Sequence, residues 1–345
     1  MSLYSEILEQ PDRIENLLSA QRIQVERIAA EIRKRDIQYV FLAARGTSDN
    51  AGRYANYLFG AINGLPVALA TPSLFTYYNQ PPVLKNALVV GISQSGKSPD
   101  IVNVLLEGRR QGCLTLSITN EPSSPLAAAS DFVIDLQAGD EKAVAATKTY
   151  TTELMAVSML SSALAKKEHH WQSLASLPGW MRTSLKQDQL IAQAVQRYRY
   201  ISQTVVLGRG YNYATAFEWA LKLKELTYII AEPYSSADFA HGPIAMVESG
   251  YPVFAVAPQG KVFDSMLEML RRLRSEISAE LVVISNHDSA LSLAQVPLSI
   301  PTDVPEWLSP MVAILPAQLF AYHLTRTKGF DTEQPRTIKK VTETQ

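Results

Sequence analysis

One pattern in this chain is written twice. YVFLAARGTSDNA in the first half has a counterpart in TVVLGRGYNYATA, with Gly46 matching Gly210 at an offset of 164 residues. LVVGISQSGKS matches VFAVAPQGKVF, with Ile92 on Ala257 at an offset of 165. LTLSITN matches LVVISN, with Asn120 on Asn286 at an offset of 166. Three matches at nearly one offset argue for a tandem duplication. Within the first copy, the runs Tyr39–Ala44, Asn86–Ile92, Leu114–Ile118 and Phe132–Leu136 are apolar without alternation. Helical patterns separate them. Such runs are parallel strands buried on both faces, so each copy is predicted to be a doubly wound α/β unit. The expected boundaries are leading helices over 1–36, a first copy over 37–165 and connecting helices over 166–196. A second copy over 197–329 and a tail over 330–345 complete the chain.

Composition narrows the function. Lys plus Arg is 32 and Asp plus Glu is 33, so no basic excess points to nucleic acid. The one cysteine, Cys113, rules out an intrachain disulfide and fits a reducing, cytoplasmic setting. The acidic, amphipathic MSLYSEILEQPDRIENLL lacks the basic and apolar regions of a signal peptide. The apolar run Val312–Tyr322 is too short for a membrane span and is interrupted by Pro316 and Gln318, so a buried helix is predicted. His169, His170, His241, His287 and His323 show no paired-ligand spacing, and no metal is expected.

The two copies differ at one loop. The first has ISQSGKSPD where the second has APQGKV. Serine and glycine form turns anywhere, and that reading stands beside a functional one. In the functional reading, Ser98 is a helix N-cap, Pro99 the first helical residue and Asp100 part of the first turn. The loop then joins a strand's carboxyl end to a helix N-terminus, where an anion is favoured. Ser93, Ser95 and Ser98 add hydroxyl donors to a phosphate, and Thr47 and Ser48 open a second helix facing the same crevice. Neither a Walker A loop nor GxGxxG is present, so a nucleotide is not implied.

The segments ARGTSDNAGRYANYLF, ISQSGKSPD and EKAVAATKTYTTEL resemble the sugar isomerase (SIS) domain family. With GRGYNYATAFEWALKLKELTYIIAEPYSSADFAHGP and QPRTIKKVT, the chain resembles the isomerase half of glutamine–fructose-6-phosphate aminotransferases. The likeness runs from Tyr4 to Thr342. It implies two tandem SIS domains, each a flavodoxin-like parallel sheet sandwiched by helices. It also implies a homodimer that binds a hexosamine or ketohexose 6-phosphate near the interface, with no nucleic acid or membrane partner. Those aminotransferases carry a glutaminase domain with a cysteine nucleophile ahead of this half. This chain begins MSLYSE, and without a glutaminase the opposite reaction is expected, release of ammonia from an amino sugar phosphate. SGKSP and the KVTET ending are similar to stand-alone SIS-type glucosamine-6-phosphate deaminases.

The resemblance assigns roles residue by residue. Phosphate falls to Thr47, Ser48, Ser93, Gln94, Ser95 and Ser98. The sugar falls to Val144, Ala146 and Glu218, with Ala146 standing where the aminotransferases have serine. Glu225 is the base that moves a proton between C2 and C1, and Lys222 lies beside it. From spacing alone, Glu218, Lys222 and Glu225 read as a solvated salt-bridge face. His241, by itself a loop or core histidine, becomes the acid/base that opens the pyranose ring. Lys340 aligns with the lysine of a tail that closes over the sugar, forming an imine or stabilising charge on oxygen. No cofactor is implied. The expected reaction is glucosamine 6-phosphate to fructose 6-phosphate plus ammonia. The rivals are a fructosamine-6-phosphate deglycase and a non-catalytic phosphosugar-binding regulator.

Overall fold

A computed structural model describes residues 2–340. Helices α1 (Leu3–Leu8) and α2 (Gln10–Arg33) lead. The first copy follows as β1 (Tyr39–Ala43), α3 (Thr47–Leu58), β2 (Val67–Leu69), α4 (Ser73–Thr76), β3 (Ala87–Ile92), α5 (Pro99–Arg110), β4 (Leu114–Thr119), α6 (Pro125–Ala128), β5 (Phe132–Asp135) and α7 (Lys148–Ala165). Next in sequence come α8 (Glu168–Leu185) and α9 (Asp188–Ala194). The second copy is β6 (Gln203–Gly208), α10 (Tyr213–Thr227), β7 (Ile230–Ser235), α11 (Ser236–Ala240), β8 (Pro252–Val256), α12 (Phe263–Ser275), β9 (Glu280–Ser285), α13 (Asp288–Leu291), β10 (Val296–Ser299) and α14 (Ser309–Thr327).

Each copy forms its own five-stranded sheet, and every strand pair is parallel. The orders are β2-β1-β3-β4-β5 and β10-β9-β8-β6-β7. Numbered within its own copy and read from the opposite edge, the second repeats the 2-1-3-4-5 order of flavodoxin-like sheets. The duplication reaches the backbone angles. Gly46 and Gly210, which end the first loop of each copy, have φ of 55° and 60°. Both occupy the left-handed region that a side chain disfavours.

The unbroken apolar runs follow from helices packed on these sheets. All six residues of β3 are buried. On the first sheet, Ile101, Val104 and Leu105 of α5 join Phe41 and Val89 in one core. On the second, Met266, Leu270 and Leu273 of α12 do the same with Val253 and Leu281. Helix α14 is the predicted buried helix, with Pro316 inside it. No helix among the described residues is long and apolar enough to cross a membrane.

By packing, the chain divides into two units. The β6–β10 unit takes in the described residues of Met1–Pro11 together with Lys142–Thr147 and Ser176–Ile338. The β1–β5 unit takes in Asp12–Glu141, Lys148–Ala175 and the described residues of Lys339–Gln345. Helix α1 and the segment Lys142–Thr147 thus pack with the second sheet, although the first lies ahead of the first copy and the second inside it. Residues 330–340 form neither helix nor strand. Beyond Lys340, the KVTET ending lies outside the described residues.

Candidate active site

In a 2-1-3-4-5 sheet, the connections leaving the first and third strands run to opposite faces. A crevice opens at their carboxyl ends. In the β1–β5 unit, those ends are the loop from Arg45 to Thr47 and the loop from Ser93 to Ser98. All six residues expected to read phosphate therefore sit at the topological switch point. Ser98 holds the N-cap position of α5 with extended backbone, and Pro99 is the first helical residue. The Ser98 side chain makes no capping hydrogen bond, which leaves its hydroxyl available to a ligand. Ser93 Oγ accepts the Gly96 N–H at 3.2 Å, and Ser95 Oγ accepts the Lys97 N–H at 3.4 Å. Their own hydroxyl protons remain to be donated.

Ser48 behaves differently. It is buried, and its hydroxyl donates to Glu153 Oε1 at 2.7 Å. Its proton faces a buried carboxylate on α7, so the hydroxyl ties α3 to α7. Gly96 explains itself physically. Its φ is +60°, and a Cβ there would lie 2.1 Å from Ser124 Oγ. Phe75, Thr76 and Asn79 line a cavity of about 670 Å³ with Pro99 and Asn103 of α5.

The crevice also contains a cation that sequence reasoning missed. Arg45 Nε donates to Asp100 Oδ2 at 2.6 Å, and Asp100 is fully buried. The half-exposed guanidinium is held at the first loop of the switch point. Its sequence signal was faint, an arginine directly before Gly46. Nearby, burial pushes the Asp49 carboxyl above its ordinary value, against the pull of Arg53 and Arg45.

The counterpart loop of the second sheet is held by a carboxylate from the segment just ahead of α14. Glu306 Oε2 accepts the Lys261 N–H at 2.9 Å. Gly260 is packed so closely that a Cβ would lie 2.2 Å from Glu306 Cδ. The duplicated loop thus meets the Glu306 carboxylate where the first offers hydroxyls.

Helix α10 carries the residues expected to do acid–base work. Glu218, Lys222 and Glu225 share one face, as their spacing predicts. Burial overturns the reading of a solvated face: Glu218 is 0% and Lys222 2% exposed by side chain, and Glu225 25%. Lys222 Nζ lies 2.6 Å from Glu225 Oε2 and 3.3 Å from Glu218 Oε1. Burial alone would lower the lysine's pKa, but the two carboxylates outweigh it and raise the value above the ordinary range. Lys222 therefore stays charged and fixes the Glu225 carboxylate at the edge of solvent. Lys224 is exposed and points away. This constellation can remove and return a proton.

His241 follows α11 as its C-cap and is exposed. Val144 and Ala146 are partly exposed on an irregular segment, with Ala145 buried between them. Lys340, in the β1–β5 unit, reaches Glu141 Oε2 at 2.5 Å. Glu141 is another missed residue. Its side chain is fully buried, and it also accepts the Thr149 N–H at 3.1 Å and the Thr149 hydroxyl at 2.8 Å. Lys148 orders the same loop by donating to the Asp140 carbonyl at 2.5 Å. Among the described residues, no three of His, Cys, Asp and Glu form a cluster that could hold a metal ion.

Two parallel 2-1-3-4-5 units, one with a serine loop at its switch point, define a class. The SIS domain matches residues 33–163 and 200–328, and the chain belongs to the SIS domain family. More particularly, it is similar to a glutamine–fructose-6-phosphate aminotransferase of Thermococcus kodakarensis. The two are 32% identical over 98% of this chain and 57% of that protein. The chain thus spans a little over half the length of that relative. Among solved structures, it resembles the C-terminal domain of glucosamine-fructose-6-phosphate aminotransferase from Francisella tularensis. The TM-score there is 0.88 at 30% identity, over 96% of this chain and 98% of that one. A glucosamine-6-phosphate deaminase from Thermotoga maritima shares the fold, with a TM-score of 0.81 at 19% identity over the whole of both chains.

Proposed function

We propose that this protein is a phosphosugar aldose–ketose isomerase of deaminase type, converting glucosamine 6-phosphate and water to fructose 6-phosphate and ammonia. The observation that carries the reading is the Glu218–Lys222–Glu225 trio, with its first two side chains buried. A charged lysine 2.6 Å from Glu225 Oε2 fixes that carboxyl group at a partly exposed position, where a general base can reach a substrate. The serine loop with Arg45 supports an oxyanion ligand, in keeping with a phosphate. Similarity to aminotransferase isomerase domains supports the sugar class.

In this reading His241 opens the pyranose ring, and the open chain presents an aldehyde at C1 and an amine at C2. Glu225 removes the C2 proton. The electron pair forms a C1–C2 double bond, and the C1 oxygen takes up a proton. Return of the proton to C1 leaves an imine at C2. Water adds to that imine, and the C–N bond breaks to give the ketose and ammonia. Lys340, salt-bridged to Glu141, is assigned to charge on the sugar oxygens rather than to an imine, because the substrate already carries its amine.

The test is a substrate panel. Ammonia and fructose 6-phosphate should appear in equal amounts from glucosamine 6-phosphate. Amine release from a fructosamine 6-phosphate adduct alone would replace this reading with a deglycase. Tight phosphosugar binding without turnover of any substrate would replace it with a regulator.

A further inference from the structure

Helix α1 is six residues long, and its buried face carries Leu3, Glu6 and Ile7. A carboxylate without accessible surface is costly unless donors surround it. Glu6 is 0% exposed. Its Oε1 accepts the Lys142 N–H at 2.6 Å, and its two oxygens accept the Ala143 N–H at 3.4 and 3.3 Å. These amides open the segment Lys142–Thr147, which packs in the same unit as α1 and forms neither helix nor strand. A segment without a ladder of its own must find partners for its backbone elsewhere. Here the partner comes from 136 residues away in sequence.

The helix that carries Glu6 is itself held at several points. The Leu3 N–H donates to both carboxylate oxygens of Glu333, at 3.2 and 3.0 Å. The Tyr4 hydroxyl donates to Asp188 Oδ2 at 2.7 Å, and its ring stacks on Tyr322 at 5.1 Å. Asp188 and burial together push the Tyr4 hydroxyl up to about 12, so it remains a donor at any physiological pH. Ser2 and Ser5 close a reciprocal capping box at the helix start. The carboxylate is therefore fixed before it meets the segment. Charge-assisted hydrogen bonds from a fixed acceptor are strong and directional.

We infer that Glu6 is a positioning residue for the sugar: it fixes the backbone at Lys142 and Ala143, and through it Val144 and Ala146. The inference rests on the proposed function and on the family resemblance, which assigns the sugar to Val144 and Ala146. Glu6 and the segment it holds belong to the β6–β10 unit and the serine loop to the β1–β5 unit, so loss of Glu6 should weaken recognition of the sugar and leave recognition of the phosphate alone. A displacement of about 1 Å in a positioning segment can cost up to about a hundredfold.

The experiment compares two non-reacting probes, glucitol 6-phosphate and inorganic phosphate, by calorimetric titration of the full chain. The variants are Glu6→Ala, Glu6→Gln and Tyr4→Phe. Glu6→Ala should raise the Kd for glucitol 6-phosphate about tenfold and leave that for phosphate within about twofold. Glu6→Gln keeps one acceptor oxygen and the side-chain shape, so it should fall between wild type and Glu6→Ala; it carries the comparison if the alanine variant does not fold. Tyr4→Phe should match wild type on both probes, because the ring stack still seats the helix. Equal weakening for both probes, an unchanged ratio in both Glu6 variants, or a wild type that does not prefer glucitol 6-phosphate would overturn the inference. Turnover is scored separately. A wild type that prefers the sugar phosphate but releases no ammonia contradicts the deaminase reading, while the Glu6 inference is decided by the ratio of affinities.

Discussion

At the scale of single residues, burial decides which charges carry chemistry. Glu218, Lys222 and Glu225 were legible as neighbours from their spacing, but spacing could not say that the face is buried. Glu6, Glu141 and Glu153 were not legible at all, since each meets partners far along the chain. Gly96 gives a direct test. Gly96→Ala places a methyl against Ser124 at a positive φ, and it should cost about 2 kcal/mol of stability and weaken phosphate binding as well. Chemical denaturation and titration with inorganic phosphate would check both. His170 gives a test in pH. It is buried beside Ser162, and burial first, then the positive charges of His169 and Lys167, lowers its pKa to about 4. The unfolded chain binds this proton near pH 6.5, and the native chain does so only near 4. The stability due to the neutral imidazole is thus complete above pH 6.5 and lost as pH falls toward 4. Melting curves over that range should fall more steeply for wild type than for His170→Gln; parallel curves would contradict the assignment.

At the scale of elements, the long central strands were readable because both faces are covered and the apolar runs are unbroken. β2 was not, since three partly exposed residues at a sheet edge leave no such run. The serine loop was read correctly as a strand end meeting a helix start, with Pro99 in the first turn. The detail that escaped is that Ser98 caps by position but not by side chain. That detail makes a prediction. A working cap costs about 1 kcal/mol when replaced by alanine. Ser98→Ala should leave the melting temperature within a degree or two, because no capping bond is lost, yet it should weaken phosphosugar binding severalfold. A large loss of stability with unchanged affinity would return Ser98 to the role of a turn former.

At the scale of the molecule, one duplicated design has diverged into two offices. The first copy keeps hydroxyls and Arg45 at its switch point. The second sets Glu306 against the counterpart loop and carries the Glu218–Lys222–Glu225 trio on α10. Titration should therefore find one phosphosugar bound per chain rather than two. The duplication itself was plain in the sequence, but the packing units were not, because α1 and Lys142–Thr147 join the second sheet across the repeat. The measurement that bears most directly on the proposed chemistry is the turnover of Glu225→Gln with glucosamine 6-phosphate, beside its affinity for glucitol 6-phosphate. Loss of the base predicts kcat at least about a hundredfold lower, with the affinity within about threefold of wild type. A variant that releases ammonia at the wild-type rate would contradict the assignment of Glu225 as the base.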